Sequence, residues 1–520
     1  MHKYNILWAD DEIDLLKPHV LFLESKGYNV TGVNSGFDAL DEVANTNFDI
    51  VFLDENMPGM SGLEALQQIK IKKPSLPVIM ITKSEEEHIM EEAIGQKIAD
   101  YLIKPLNPNQ ILLSVKKILD NKRLVTERTN MGYQQDFRNI SMAFGDNLDF
   151  NEWAELYKKL VYWEMQIDDT ESRSMAEVID SQKIDANHNF ASFIEDNYED
   201  WLNNPSVDRP VLSHRLMDEY VFPEIEKDSS LFFIVIDNLR FDQWKMIEPM
   251  VNDHFSVVSE ETYFSILPTT TQYARNSIFS GLLPLEMSKR YPDLWIGEEE
   301  SEGKNNNEDK FLEEHLKRKR IDVKFSYHKI KNIHEGKSLV KDLPNLLNNQ
   351  LNVVVYNFVD LLSHSRTESN MIKELAPDES GYRSLTQSWF SHSPLLEALE
   401  RIAASGSKVI LSTDHGTIRV KRPFKIIGDR NTNTNLRYKT GKNLNFDGKN
   451  VFNVRHPEKL YLPKVNVTST FVFAIEDQFF AYPNNFNYYV NYYDDTFQHG
   501  GVSLEEMIVP VVKLKPKNIR

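Results

Sequence analysis

The sequence predicts an α/β multidomain protein in which two parallel-sheet domains flank a helical segment, and three observations predict it. Near the amino terminus the apolar runs NILWA and DIVFL each end at an aspartate, as buried parallel strands at a sheet edge do. From Leu231 onward LFFIVID, LNVVVYNFVD and SKVILSTDH repeat that pattern with helical stretches between them. Between these regions strand-like runs are scarce and apolar residues recur at helical spacing. A chain of 520 residues, 41% hydrophobic and 11% aromatic, has the length for about three domains and the apolar content to build their cores.

In the first domain, residues 1–121, Asp10 and Asp11 follow the first strand, Asp54 lies in FLDENMPGMSG, Thr82 in VIMITKS and Lys104 in YLIKPL. Strand-end side chains of an open α/β sheet converge on one crevice, where three carboxylates can hold a hard ion such as Mg²⁺ and leave Asp54 an oxygen for a phosphoryl group. Lys104 would neutralise the acyl phosphate and Thr82 would report it by hydrogen bond. Any one of these residues alone reads as a helix cap. All five in order, with Pro105 directly after Lys104, do not.

This segment resembles the receiver domain of two-component response regulators. The resemblance implies a flavodoxin-like five-stranded parallel sheet, phosphorylation on Asp54, and a Mg²⁺ site of Asp10, Asp11, Asp54 and the Asn56 carbonyl. It also implies Thr82, Tyr101 and Lys104 as the switch residues. Lys83 stands where a small residue usually follows the switch threonine, which bears on phosphate lifetime.

Residues 122–225 read as a helical linker or bundle. FNEWAELYKKLVYWEMQID puts Trp153, Leu156, Leu160, Trp163 and Ile167 on one broad apolar face, with Asp149 and Glu152 as start signals. Asn204-Pro205 and Arg209-Pro210 break the later helices. The expectation is a bundle that relays the state of the first domain, through dimerisation.

In the third domain, residues 226–518, the strand-end aspartates Asp237, Asp360 and Asp414 should meet on one sheet edge. Asp360 and His364 lie four apart in DLLSH, Asp414 and His415 are adjacent in TDHG, and His499 follows in FQHGG. Asp and His supply ligands for Zn²⁺, or for Mn²⁺ in a harder site. The absence of cysteine removes thiolate sites altogether. Thr271, in LPTTTQYARNSIFSG, sits where loop becomes helix. Alone it reads as a helix cap; beside six candidate ligands it reads as a nucleophile, activated by metal ions.

This constellation is similar to the alkaline phosphatase superfamily and to its PglZ branch. The resemblance implies an alkaline-phosphatase-like α/β domain with two zinc ions. One would be held by Asp237, Thr271, Asp414 and His415, the other by Asp360, His364 and His499. Ser363 departs from the glycine that many relatives carry before the histidine of this motif. Threonine rather than serine as nucleophile leans towards phosphodiesters.

Asn238, Arg240, Arg275, His328 and Lys329 are candidate phosphate-oxygen contacts. GEEESEGKNNNEDK, 297–310, reads as a mobile surface loop, and NNFNYYVNYYDDTFQH as an aromatic cluster that either stacks bases or packs around the metal site. The amino terminus enters a strand directly and no run approaches a membrane span, so the expectation is a soluble, cytoplasmic protein. A net charge of −19 argues against a broad nucleic-acid surface, and direct DNA binding is not expected.

Receiver, linker and phosphatase-like domain in this order resemble the PorX-type response regulators of type IX secretion and gliding. That resemblance implies a sensor histidine kinase, a homodimer on phosphorylation, and a zinc-dependent phosphodiesterase acting on nucleotides or on cyclic or linear oligonucleotides. It also implies contact with an alternative sigma factor and a cytoplasmic component of the secretion machinery. The competing reading is a non-enzymatic docking regulator in which zinc is structural.

Overall fold

The computed structural model describes residues 4–83, 98–144, 147–168, 173–298, 300, 303–428, 432–446, 448, 450–464, 466, 468–482 and 486–517. The chain divides into two compact units: Met1–Asp136 with Gln166–Ser172, and Phe137–Met165 with Arg173–Arg520.

In the first unit β1 (Asn5–Ala9), β2 (Asn29–Val33), β3 (Ile50–Asp54), β4 (Val78–Thr82) and β5 (Asp100–Ile103) form a parallel sheet of order β2-β1-β3-β4-β5. Alternate residues of the central strands feed two cores. Leu7, Val51, Leu53, Val78 and Met80 pack with Ala39, Val43, Leu66 and Ile69 on one face. Ile6, Trp8, Phe52, Ile79 and Ile81 pack with Leu23, Ile111 and Val115 on the other. Helices on both faces explain why these strands are apolar throughout rather than alternating. The expected five-stranded parallel fold is present, and its order reverses between β1 and β3, where such sheets place their ligand crevice.

Helix Pro108–Ala143 follows β5, and helices Phe150–Asp168 and Arg173–Asn203 form the middle of the chain. The predicted stripe of Trp153, Leu156, Leu160, Trp163 and Ile167 is buried. Asp149 Oδ1 accepts from the N–H groups of Asn151 and Glu152, while Glu152 Oε2 accepts from Asp149 N, so both start signals act as a reciprocal cap. The last of the three helices ends at Asn203, just before the Asn204-Pro205 breaker.

The second unit is built on a six-stranded mixed sheet. β6 (Leu231–Ile236), β8 (Phe325–Ile330), β9 (Leu351–Tyr356) and β10 (Lys408–Ser412) run parallel in the order β10-β6-β9-β8. The C-terminal strand Ile508–Pro516 inserts antiparallel between β10 and β7 (Phe255–Phe264). Every residue of β6 and of β9 is buried. The parallel neighbours β10, β6 and β9 therefore end side by side: β10 two residues before Asp414, β6 one before Asp237 and β9 four before Asp360. A separate two-stranded ribbon pairs Ile418–Val420 antiparallel with Thr496–Gln498, Ile418 opposite Gln498. That pairing carries His499 back to the end where the chain leaves His415. Among the described residues no helix is long and apolar enough to cross a membrane.

Candidate functional site

The first crevice is built from strand ends of the first unit. Asp10 and Asp54 are fully buried, and Asp10, Asp11 and Asp54 each offer an oxygen within 4.8 Å of the others. Lys104 Nζ lies 2.8 Å from Asp10 Oδ2 and 2.8 Å from Asp54 Oδ1. Burial raises the Asp54 pKa against the opposing hydrogen bond from Lys104. For Lys104 itself burial acts to lower the pKa, but its bonds to Asp10 and Asp54 outweigh burial and raise it. Asn56 N donates to Asp54 Oδ2 at 3.2 Å. Thr82 is buried at the end of β4, whereas Tyr101 is 38% exposed. Lys83 turns outward, its Nζ 3.7 Å from Glu12 Oε2.

In the second unit two clusters form at the β10-β6-β9 edge: Asp237 with Asp414 and His415, all buried, and Asp360 with His364 and His499, more open. Thr271 begins the helix Thr271–Ser280, while Thr270 is its cap residue and makes no side-chain capping bond. The Thr271 hydroxyl instead lies 3.5 Å from Asp237 Oδ1 and 3.3 Å from His415 Nε2. The capping reading of Thr271 is therefore set aside by its geometry.

Backbone carbonyls define the histidine tautomers. His415 Nδ1 faces the Gly416 carbonyl at 3.0 Å and His499 Nδ1 faces the Thr269 carbonyl at 3.2 Å. A carbonyl only accepts, so Nδ1 carries the proton in each ring and Nε2 turns towards the cluster. Metal-binding histidines are commonly oriented this way. Burial pushes His415 down to about 4, whereas His499 is raised because its bond to Asp360 outweighs its own burial. The two rings stack, with centroids 4.3 Å apart, which brings the clusters together. Burial raises the Asp237 pKa despite Arg275. Asp414 Oδ2 is buried and accepts no hydrogen bond from the described residues; the Arg275 Nη1 lies 3.6 Å away. Such a carboxylate oxygen fits a cation.

Backbone geometry holds these candidate ligands in place. Asn238, at φ 66°, donates its N–H to Asp414 Oδ1 at 3.2 Å and its Nδ2 to Ser363 Oγ at 3.3 Å. Ser363 Oγ in turn donates to the Asp360 carbonyl at 2.7 Å, so this residue acts as a hydrogen-bonding link. A Cβ on Gly416 would meet the Glu505 carbonyl oxygen at 2.0 Å, so only glycine fits after His415.

Several expectations for the surrounding residues are corrected. Arg275 is 1% exposed and is held by Asp237 Oδ2 and Glu308 Oε1, each at 2.6 Å, rather than facing an open substrate position. Arg240 is buried against Asp242 and Glu379, with its guanidinium over the Tyr382 and Phe497 rings. His328 belongs to neither cluster, and burial lowers its pKa. Lys329 Nζ donates to Glu308 Oε2 at 3.0 Å and to the Asn305 carbonyl at 2.9 Å. Part of the described polar run 297–310 is anchored beside the site rather than standing free as a surface loop. Asn305 Nδ2 donates to the Thr271 carbonyl, Tyr438 donates to Glu298, and Glu308 is buried. Sequence reading missed Glu308 because nothing local distinguishes it from the other acids of that run.

A cavity of about 420 Å³ opens beside the second cluster, lined by His364 and His499 together with Tyr438, Tyr492, Tyr493 and Lys304. The aromatic segment thus supplies part of its wall through the helix Phe486–Tyr493. A larger cavity, about 530 Å³, lies among Phe144, Trp153, Phe193 and Trp201 and touches neither cluster, so size does not mark the chemistry.

Comparison with known proteins assigns the class. Residues 6–116 match the response regulator receiver domain, 123–202 the PorX response regulator linker domain, and 216–514 the BREX system PglZ alkaline phosphatase-like domain. The protein is a response regulator with an alkaline phosphatase-like output domain. More particularly, the chain belongs to the PglZ alkaline phosphatase-like family, in the PorX-type arrangement of receiver, linker and PglZ domain. It is 36% identical over 120 residues to the transcriptional regulatory protein ZraR of Klebsiella oxytoca, covering 23% of this chain and 27% of that protein. It is 33% identical over 114 residues to the transcriptional regulatory protein ResD of Bacillus subtilis (strain 168), covering 22% and 47%. The chain thus spans less than half the length of either curated relative. Among solved structures, a CheY-like receiver domain protein from Methanospirillum hungatei JF-1 aligns at 27% identity, covering 23% of this chain and 96% of that one, with a TM-score of 0.23.

Proposed function

We propose that this response regulator carries a zinc-dependent phosphodiesterase as its output, with Thr271 as nucleophile, and that phosphorylation of Asp54 controls it. The supporting observation is the convergence of the Thr271 hydroxyl with Asp237 and His415, next to Asp360, His364 and His499. We assign receiver, helical linker and output domain to 1–121, 122–225 and 226–518.

The donor set fits two divalent ions: buried carboxylates, an orphaned Asp414 oxygen, and imidazoles presenting Nε2. Asp237, Thr271, Asp414 and His415 would hold one, and Asp360, His364 and His499 the other. Such ions, when bound, lower the pKa of a hydroxyl and stabilise charge on a leaving oxygen. In the receiver, Asp10, Asp11, Asp54 and the Asn56 carbonyl would hold Mg²⁺ for phosphoryl transfer to Asp54, with Lys104 neutralising the product and Thr82 and Tyr101 responding to it.

Thr271 Oγ1 would bond to phosphorus as the bond to one ester oxygen breaks. The departing oxygen takes up the proton that the Thr271 hydroxyl gives up, and water then cleaves the threonyl ester, restoring the hydroxyl and releasing a phosphate monoester. The Gly416 and Thr269 carbonyls keep His415 and His499 in register throughout. Tyr492 and Tyr493 on the cavity wall suit a planar base, which favours nucleotide or oligonucleotide diesters. The proposed setting is a cytoplasmic regulator of type IX secretion. Its partners would be a sensor histidine kinase, a second copy of the chain on phosphorylation, an alternative sigma factor and a component of the secretion machinery.

Hydrolysis of a chromogenic phosphodiester by the zinc-loaded full chain tests the reading, compared with Thr271→Ala and with or without a small-molecule phosphodonor. Turnover lost in the variant and altered by the phosphodonor is expected. A folded, zinc-loaded protein without turnover would favour the docking reading instead.

A further inference from the structure

Arg275, Asp237 and Glu308 have side chains about 1% exposed, and Asp414 is fully buried. Arg275 Nη1 sits 2.6 Å from Asp237 Oδ2 and 3.6 Å from Asp414 Oδ2, while its Nε sits 2.6 Å from Glu308 Oε1. Glu308 Oε2 receives Lys329 Nζ at 3.0 Å and the Tyr327 hydroxyl. Cluster carboxylates, guanidinium, Glu308 and Lys329 therefore form one chain of charges leading away from Thr271.

We propose that Glu308 and Lys329 set the charge of the Asp237–Asp414–His415 cluster through Arg275, and so tune how tightly that cluster holds a divalent cation. The inference rests on the metal-site reading above. Without Glu308, Lys329 would be an uncompensated cation behind the cluster, and Arg275 would neutralise Asp237 more completely. Without Lys329, Glu308 would draw Arg275 away and leave the cluster more negative. In a buried site such charges are weakly screened, so the effect reaches the cluster although neither residue touches it. Glu308 is a positioning residue on this account. Its place in the first turn of the helix Glu308–Lys319 further favours its ionised form.

Calorimetric titration of chelator-stripped full-length protein with zinc chloride tests this on wild type, Glu308→Gln, Lys329→Met and the double variant. Glu308→Gln is expected to weaken one of two zinc-binding steps at least about tenfold, and Lys329→Met to tighten that step by a similar factor. The double variant should return to within about threefold of wild type, because charge balance is restored. A purely structural role predicts neither tightening nor rescue. Lys329→Met that binds zinc no tighter than wild type overturns the inference, even if Glu308→Gln does not fold. So does a double variant no better than Glu308→Gln. Wild type that binds no zinc would overturn the metal-site reading itself, and this inference with it.

Discussion

Asn187 donates through Nδ2 to Glu505 Oε2 at 3.0 Å and accepts the Leu504 N–H through Oδ1 at 2.8 Å, with both side chains buried. One amide from the helix Arg173–Asn203 thus holds the turn that leads into the C-terminal strand. Lys183, on the same helix, stands 3.0 Å from Glu164 and 3.5 Å from Glu505. The neighbouring Glu506 accepts from Gly501 N at 2.8 Å and pairs with Arg437 at 2.6 Å, which ties this turn to the segment carrying His499.

Replacing Asn187 with Ala would strand the Leu504 N–H and deprive a buried carboxylate of a donor. The expected loss is about 2–4 kcal/mol of unfolding free energy. Urea denaturation measures it, and a change below about 0.5 kcal/mol would mean that this junction does not hold the turn.

Burial holds His214 neutral, its pKa lowered to about 3 from 6.5, and among the described residues its Nδ1 has no hydrogen-bond partner. The folded pKa lies below the unfolded one, so the unfolded chain takes the proton first. The stability this neutral ring permits is fully present above about pH 6.5 and drains as pH falls towards 3. Relative to wild type, His214→Gln should gain about 2 kcal/mol between pH 8 and pH 5. Paired denaturation curves at the two pH values check this; parallel pH dependence would refute it.

Lys104 is the cation between Asp10 and Asp54. Lys104→Met should leave the two carboxylates repelling each other, lowering stability in chelator by about 3 kcal/mol. The same variant should bind Mg²⁺ about tenfold more tightly, because the crevice is more negative. A Mg²⁺ titration followed by thermal unfolding reads both effects, and weaker Mg²⁺ binding would contradict the assignment.

Gly500 follows His499 at φ 123°, and a Cβ there would meet Asn435 Oδ1 and Tyr438 Cδ1, both at 2.9 Å. Gly500→Ala should cost about 1–3 kcal/mol and displace His499. A lower Tm with reduced zinc content is the expected outcome; an unchanged Tm would show that the loop adapts.

The strand-end aspartates were legible because a short apolar run ending in an acid describes a buried parallel strand wherever it occurs. NILWA, IVFL and LFFIVI all became parts of central strands. The stripe from Trp153 to Ile167 was legible for a similar reason, since helical periodicity is local. Arg275, Asn305 and Glu308 were misread because their roles depend on partners far away in sequence. Glu308 lies 33 residues from Arg275, and Asn305 lies 34 from Thr271.

By itself, the sequence determined which stretches are strands or helices and which side chains are candidate metal ligands and nucleophile, because those properties belong to side-chain type and local spacing. Only the tertiary structure decided how they meet. The antiparallel ribbon brings His499 to stack on His415, the Thr271 hydroxyl turns to Asp237 and His415 instead of capping its helix, and Glu308 is buried against Arg275. The physical reason is that a buried charge must find its counter-charge in space, and composition records the charges without their pairing.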